Sequence, residues 1–324
     1  MAWTLADSKK LSQSKLTNFV IDEFRKSPLL DVMQFDDCVK PQGGNSLSYV
    51  YNRLTTQPTA AGRALNSEYT PQEAKTEPVT VDLKVFGGSF QLDRVLIENE
   101  KQVITNMVEF QLQQKIKATR ALFADWLING DSATVTNSFD GLDKAIKGKS
   151  TDRTLTTALD MSTAAAIEQN WKAFLYEIRQ TIKLLDGAPT VMVVNDDLFS
   201  VFQTVADYSA QFQSTKTDMG SEIVKYGSAT IVKCGDKPGT SKPIIATDEA
   251  KGTTDIYLAR IGLDGVHGVT PSGQKAPKTY LPDLSQPGAV KTGEVEMIAA
   301  MAVKATRSAA VLRGIQAAPA GSAA

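Results

Sequence analysis

Between Glu98 and Ile128 the chain runs for 31 residues without a glycine or a proline. Nothing in that stretch breaks a helix. Apolar side chains recur every four positions at Ile104, Val108, Leu112 and Ile116, and Phe123 and Leu127 continue the stripe. At 1.5 Å per residue, the helix this predicts over 98–128 is about 45 Å long, far beyond the usual three turns. Glu98 and Glu100 open it, as a helix dipole favours, and Asn129-Gly130-Asp131 closes it with a C-cap and a turn. No heptad is sustained, so a coiled coil is not expected. A helix of this length is hard to stabilise in an isolated molecule.

The flanking segments share that difficulty. Residues 46–53 alternate, with Leu47, Tyr49 and Tyr51 on one side, and residues 78–86 alternate through Val79, Val81, Leu83 and Val85. Period-two alternation reads as half-buried strand. The polar stretch from Asn52 to Glu77 between them makes a long hairpin with an extended tip. A two-stranded hairpin is marginal alone in water, and so long a loop is unusual inside a compact domain; the element is expected to lean on another subunit. Gly87-Gly88 is expected to break the strand, with a short strand over Ser89–Asp93 beyond. Residues 1 to about 30 carry a thin apolar stripe at Leu16, Phe19, Val20 and Phe24, ended by Pro28. That stripe reads either as an ordinary first helix or as an arm lying on a neighbour.

Beyond the long helix, Lys147–Thr157 reads as a polar link and Ala164–Leu185 as a second helix, closed by Gly187 and Pro189. Thr190–Asn195 reads as a short buried strand. Asp196 or Asp197 is expected to cap a third helix through Tyr208. This order suggests a compact second α/β-type unit. Further strands are expected at Ile223–Val224, Thr230–Lys233, Ile244–Thr247 and Asp255–Ile261. Residues 269–293 read as a loop, Glu294–Ala305 as a last long strand, and Ser308–Ile315 as an apolar segment before a frayed tail. No internal repeat is present.

The 324 residues carry 42% apolar and 22% charged side chains, a globular balance that sets aside disordered and collagenous classes. The longest apolar run, Met297–Val303, is too short to span a membrane, and no secretory signal is expected. With 35 basic and 36 acidic residues the net charge is −1, so any contact with nucleic acid must be local. Cys38 and Cys234, far apart in sequence, make no metal or redox pattern.

No catalytic, cofactor-binding or metal residues can be assigned. The single histidine, His267, stands without a cysteine or carboxylate at a telling spacing and reads as structural or surface. Gly148-Lys149-Ser150 looks like the end of a phosphate loop, but the required first glycine falls on Asp143. Gly262, Gly265 and Gly268 lack dinucleotide-site spacing and no helix follows them. Both patterns read as turns. The paired acids Asp36-Asp37 and Asp196-Asp197 leave open an unrecognised carboxylate enzyme; adjacent residues point apart, and the second pair suits a helix start.

In order and spacing these parts resemble the major capsid proteins of tailed bacteriophages, with the Hong Kong 97-type fold. The resemblance rests on the arm, the hairpin, the helix over 98–128, Phe139-Asp140-Gly141-Leu142 after it, the helix–strand–helix run over 167–208, and the ending from Gly293-Glu294-Val295-Glu296-Met297 to Arg307-Ser308-Ala309-Ala310-Val311-Leu312-Arg313-Gly314-Ile315. It implies an α+β capsid fold divided into an N-terminal arm (1–45), an extended E-loop hairpin (46–88), a peripheral domain (89–155) with its spine helix (98–128), an axial domain (156–275), a return strand of the peripheral domain (276–306) and a C-terminal segment (307–324).

The resemblance further implies a non-enzymatic, self-assembling subunit that forms hexamers and pentamers of an icosahedral phage head. The head would be assembled in the bacterial host cytoplasm, with portal and scaffolding proteins as partners, a decoration protein as a further one, and packaged double-stranded DNA on the inner face. Lys9, Lys10, Lys15, Arg25 and Lys26 read either as positive charge towards that DNA or as a solvated helix face. Many relatives carry a long charged N-terminal scaffolding segment that is later cleaved; here the arm begins almost at once, which leaves separate scaffold and processing both open. Some relatives form Lys–Asn cross-links; Lys75 and Lys84 lie in the hairpin, and no cross-link is assigned. The second reading is an encapsulin-type, cargo-enclosing nanocompartment, which shares the fold and would need a cargo-peptide groove.

Overall fold

A computed structural model describes residues 28–38, 47–98, 107–209, 212–216, 222–273 and 275–321. Most of the expected arm, including Lys9, Lys10, Lys15, Arg25 and Lys26, lies outside the described residues, as does Ile104 of the long helix. From the arm stretch the structure describes a short helix α1 (Leu29–Val32) and a strand β1 (Phe35–Asp37).

One strand organises the first sheet. β13 (Val290–Val303) pairs antiparallel with β4 (Lys84–Asp93), from Val290 opposite Asp93 to Ala299 opposite Lys84. It also pairs with β11 (Val266–Thr270) and with the short β12 (Lys278–Tyr280). β1 adds to β11 in parallel. Along β13, Val295 and Met297 are buried while Glu294 and Val290 face out, the alternation that a one-sided sheet requires.

Behind β4 and β13, and after a short helix α2 (Arg94–Glu98) in the chain, lies the long helix α3 (Met107–Asn129), whose 23 described residues span about 35 Å. Phe123, Ala124, Leu127 and Ile128 are buried on its inner side. An aromatic group joins it to the sheet: Phe86 meets Trp126 edge-on at 5.0 Å, and Phe139 lies 5.7 Å from both Phe123 and Trp126. Such pairs add about 0.5–1.5 kcal/mol each beyond their burial. The helix ends where Gly130 donates its N–H to the Trp126 carbonyl at 2.9 Å. A side chain there would meet that oxygen at 2.4 Å and the Phe139 carbonyl at 2.2 Å, so only glycine fits.

The second sheet has seven strands in the order β5-β14-β10-β6-β9-β8-β7. These are β5 (Asp152–Asp160), β6 (Val191–Val194), β7 (Phe212–Lys216), β8 (Glu222–Tyr226), β9 (Ala229–Lys233), β10 (Thr253–Ala259) and β14 (Ala309–Gln316). Its two faces enter different cores. Val191, Val193, Tyr257, Ala259 and Val311 pack towards α3 and β13, whereas Met192, Val194, Ile256, Leu258 and Leu312 pack towards helices α5 (Ala164–Ile182) and α6 (Asp196–Tyr208). Burial on both faces explains the unbroken apolar run Val191-Met192-Val193-Val194. Phe174 of α5 and Phe202 of α6 meet at 5.1 Å over this sheet, both fully buried.

Several expectations are corrected. The four-residue stripe on the long helix does not run continuously into one core: Phe123 and Leu127 join the large cluster, whereas Val108 and Leu112 pack with Phe90, Leu92 and Met107. Each four-residue step overshoots a turn by about 40°, so the stripe walks around the helix. Gly87-Gly88 does not interrupt β4. A side chain at Gly87 would lie 2.0 Å from the Val295 carbonyl, so the glycine lets β4 close on β13. The break falls instead at Leu83, between two strands, and the alternation flips there: Leu83 and Phe86 are buried and Val85 is exposed.

Asn195, not Asp196 or Asp197, caps α6; its Oδ1 accepts the Leu198 N–H at 3.0 Å. The link over Lys147–Thr157 contains most of β5, an edge strand. Ile244–Thr247 is buried at its start but irregular, held by Ile244 N–H on the Gly235 carbonyl. Within the expected 269–293 loop, β12 forms and β13 already begins. Two segment limits cut across the sheets: β11, inside 156–275, belongs to the β13 sheet, and β14, inside 307–324, is an interior strand of the seven-stranded sheet.

Candidate functional site

The hairpin of β2 (Ser48–Thr56) and β3 (Lys75–Asp82) is the most exposed part of the described chain. Its tip, residues 57–74, is solvent-exposed throughout. Leu65 is 90% exposed, Tyr69 62%, and Leu47, Val50 and Leu54 are exposed as well. Isolated exposed apolar residues are ordinary, but several on one projecting element mark a surface for contact. A second such patch, Tyr280, Leu281 and Leu284, lies on the segment joining β12 to β13. The buried Lys291 pins that segment by donating its ammonium to the Gln286 carbonyl.

Only the base of the hairpin is packed. Tyr49, Tyr51 and Val81 touch the large core. Three side chains of β2 make the attachment. Tyr51 Oη donates to the Val303 carbonyl at 2.8 Å. The Arg53 guanidinium donates to the Val303 carbonyl at 2.7 Å and to the Lys304 carbonyl at 3.0 Å. Tyr49 Oη donates to Asp36 Oδ2 at 2.7 Å. Burial, then the bond to Asp36, push the Tyr49 hydroxyl well above its ordinary range, so it stays a donor. Beside it, His267 is fully buried, its ring edge-on to Tyr49 at 5.7 Å.

The residues weighed for chemistry are scattered. Asp36 serves Tyr49, Asp196 pairs with Lys233, and Asp197 accepts from Thr247. Cys38 and Cys234 are free and buried, and burial pushes the Cys234 thiol up to about 12. Gly148 occupies a turn with positive φ and donates to Asp152. Gly265 donates to the Gly262 carbonyl in a turn, and Gly268 makes room for the Phe35 ring, which a side chain there would meet at 2.4 Å. Lys84 donates to the Thr136 carbonyl and Lys75 opens β3 in solvent. Among the described residues no group of three His, Cys, Asp or Glu could hold a metal ion, and no helix is long and apolar enough to cross a membrane.

The sequence reading missed a polar junction on the seven-stranded sheet. Arg313 of β14 bridges three carboxylates: Asp143 of helix α4 (Leu142–Ile146) at 2.6 Å, Asp152 of β5 at 2.8 Å and Asp255 of β10 at 3.0 Å. Tyr257 donates to Asp143 at 3.0 Å. Burial raises Asp255 above the usual carboxylate range despite Arg313. Asp152, also opposed by burial, is held below that range by the Gly148 N–H and Arg313. No spacing rule links these residues, because four separate elements supply them.

No protein-family model matches the chain, and no curated protein matches it in sequence. Solved structures do match in shape. A holo-encapsulin complex from Synechococcus elongatus aligns over 100% of both chains with a TM-score of 0.63 at 12% identity. A chain from the structure of Mycobacterium phage Ogopogo aligns over 96% of this chain and 99% of its own, with a TM-score of 0.60 at 12% identity. The capsid of Myoviridae phage XM1 aligns over 93% and 97%, with a TM-score of 0.56 at 11% identity. At such identities the likeness is one of architecture, and it extends through both sheets, the long helix and the hairpin: the chain has the Hong Kong 97-like capsid fold.

Proposed function

We propose that the chain is the subunit of a closed protein shell, and specifically the major capsid protein of a tailed-phage head that assembles as hexamers and pentamers around double-stranded DNA. The observation that carries this reading is the hairpin: it projects apolar side chains that nothing among the described residues buries. A neighbouring copy would cover them, adding area that a thin two-stranded ribbon cannot bury alone. In this reading the sheet of β13 with α3 is the peripheral part. The seven-stranded sheet with α5 and α6 is the axial part, meeting its copies at the local symmetry axes. Many modest contacts repeated around a closed surface give high avidity. Portal, scaffolding and decoration proteins would be its partners, and the virion its final location.

The test is negative-stain microscopy of the purified full chain, expressed alone and with any scaffolding protein encoded beside it. Closed particles of uniform diameter are expected. Soluble monomers under every assembly condition would reject the shell reading. The alignment over the whole of both chains with an encapsulin supports a second reading, a cargo-enclosing nanocompartment. The contents of particles from the native source separate the two: nuclease-protected double-stranded DNA supports the phage head, and a packaged protein supports the compartment.

A further inference from the structure

The hairpin base contains a group that its attachment does not need. His267 is the single histidine of the chain. It is fully buried on β11, and neither ring nitrogen makes a well-formed hydrogen bond among the described residues, although the backbone at Gly265 and Gly262 lies within weak reach of the ring. A neutral imidazole carries a donor and an acceptor, and leaving both unpaired in the interior is costly. Non-polar side chains of similar size would pack there without that cost, so a histidine at this position invites an account.

Two ionisable groups stand with it at the hairpin base: Tyr49 of β2, edge-on to the ring, and Asp36 of β1, which accepts from Tyr49. Lys304, just beyond β13, places its ammonium 5.3 Å from the centre of the Tyr49 ring. Burial, and then Lys304, hold His267 below its ordinary range; Asp36 and the backbone at Gly265 and Gly262 pull the other way.

We propose that His267, Tyr49 and Asp36 form an acid-released catch on the hairpin, while Tyr51 and Arg53 form the pin about which it turns. With the imidazole neutral, the Tyr49 ring closes over it and the tyrosine hydroxyl holds Asp36. A protonated ring has two N–H donors, and the backbone at Gly265 and Gly262 offers neither of them a well-formed bond. It must either draw Asp36 away from Tyr49 or reach water by lifting the tyrosine. Both routes break the bond between Tyr49 and Asp36. The bonds of Tyr51 and Arg53 to the Val303 and Lys304 carbonyls pass through neither the imidazole nor Asp36, so they survive. Acid therefore frees the orientation of the hairpin without detaching it.

The sign follows from linkage. The closed state keeps the ring neutral and the open state lets it protonate near the ordinary imidazole value. Opening is independent of pH above that value and grows by about tenfold per pH unit below it, until the closed state also takes up the proton. Hydrogen-exchange mass spectrometry on the full chain, corrected for intrinsic rates, tests this between about pH 7.5 and pH 5. Peptides covering Tyr49–Arg53 are expected to lose protection as the pH falls, while peptides of β10 and β14 keep theirs. His267→Gln should abolish the step. Should His267→Gln fail to fold, Tyr49→Phe decides: it should lower protection at neutral pH and shrink the step. Equal protection of the wild-type hairpin base at both pH values, or a step unchanged in a folded variant, overturns the proposal.

Discussion

Arg313 is the side chain that ties helix α4 to the seven-stranded sheet. Its guanidinium holds Asp143, Asp152 and Asp255 at once, and it is itself pushed above its ordinary range, with burial opposed by these carboxylates. Replacing it by Met would leave three part-buried acids without a cation, a loss of about 1–3 kcal/mol at neutral pH. The pH dependence should also change sign. In the wild type, the depressed Asp152 contributes stability that is complete above the ordinary carboxylate value and lost as pH falls through its lower folded value. Without Arg313, Asp152 and Asp255 lose the cation that lowers them and their folded-state values rise, so folding takes up protons and the deficit of Arg313→Met narrows on acidification. Urea unfolding at about pH 7 and pH 4.5 measures this; a constant deficit across that interval would contradict the account. None of these partners is legible from sequence, since they meet only once four elements have packed.

The hairpin shows how far an element can be read before its contacts are known. The alternation at Tyr49, Tyr51, Val79 and Val81 gave away both strands, and the long polar interval between them gave away the projection. The flip at Leu83 was hidden: one residue outside the ladder exchanges the faces of everything after it, and Val85 looks as buriable as Leu83 in sequence. The same limit hid β5, an edge strand with half its length in solvent and few apolar side chains to betray it. Leu65→Ser at the tip separates folding from association. At 90% exposure the change should move subunit stability by no more than about 0.5 kcal/mol. If the tip seats on a neighbour, it should sharply lower the yield of closed particles counted by microscopy. An unchanged yield would place the contact elsewhere on the hairpin.

At the scale of the whole molecule, the long helix and the buried strand Val191–Val194 were legible because each satisfies a strong periodic or compositional demand. The sheet assignments of β11 and β14 were not, because the chain crosses between sheets at Ala305–Ala309 within a few residues and no local signal marks the crossing. β14 pairs with β10 on one side and β5 on the other. A chain stopped before Ala309 loses that strand together with Val311, Leu312 and Ile315, all fully buried. It should fail to fold cooperatively, as read by circular dichroism on heating, whereas a chain stopped after Ala318 should melt within a few degrees of the full one.

The same strand order governs when a chain becomes usable. β4 waits about 200 residues for β13, and β5 waits about 160 for β14, so neither sheet can close until its distant partner strand has been made. The carbonyls of Val303 and Lys304 that seat the hairpin are likewise made about 250 residues after it. A prematurely ended product therefore lacks the seat as well as the sheets. Translation errors that shorten the chain are screened out by topology, before a defective copy can take a place beside intact ones.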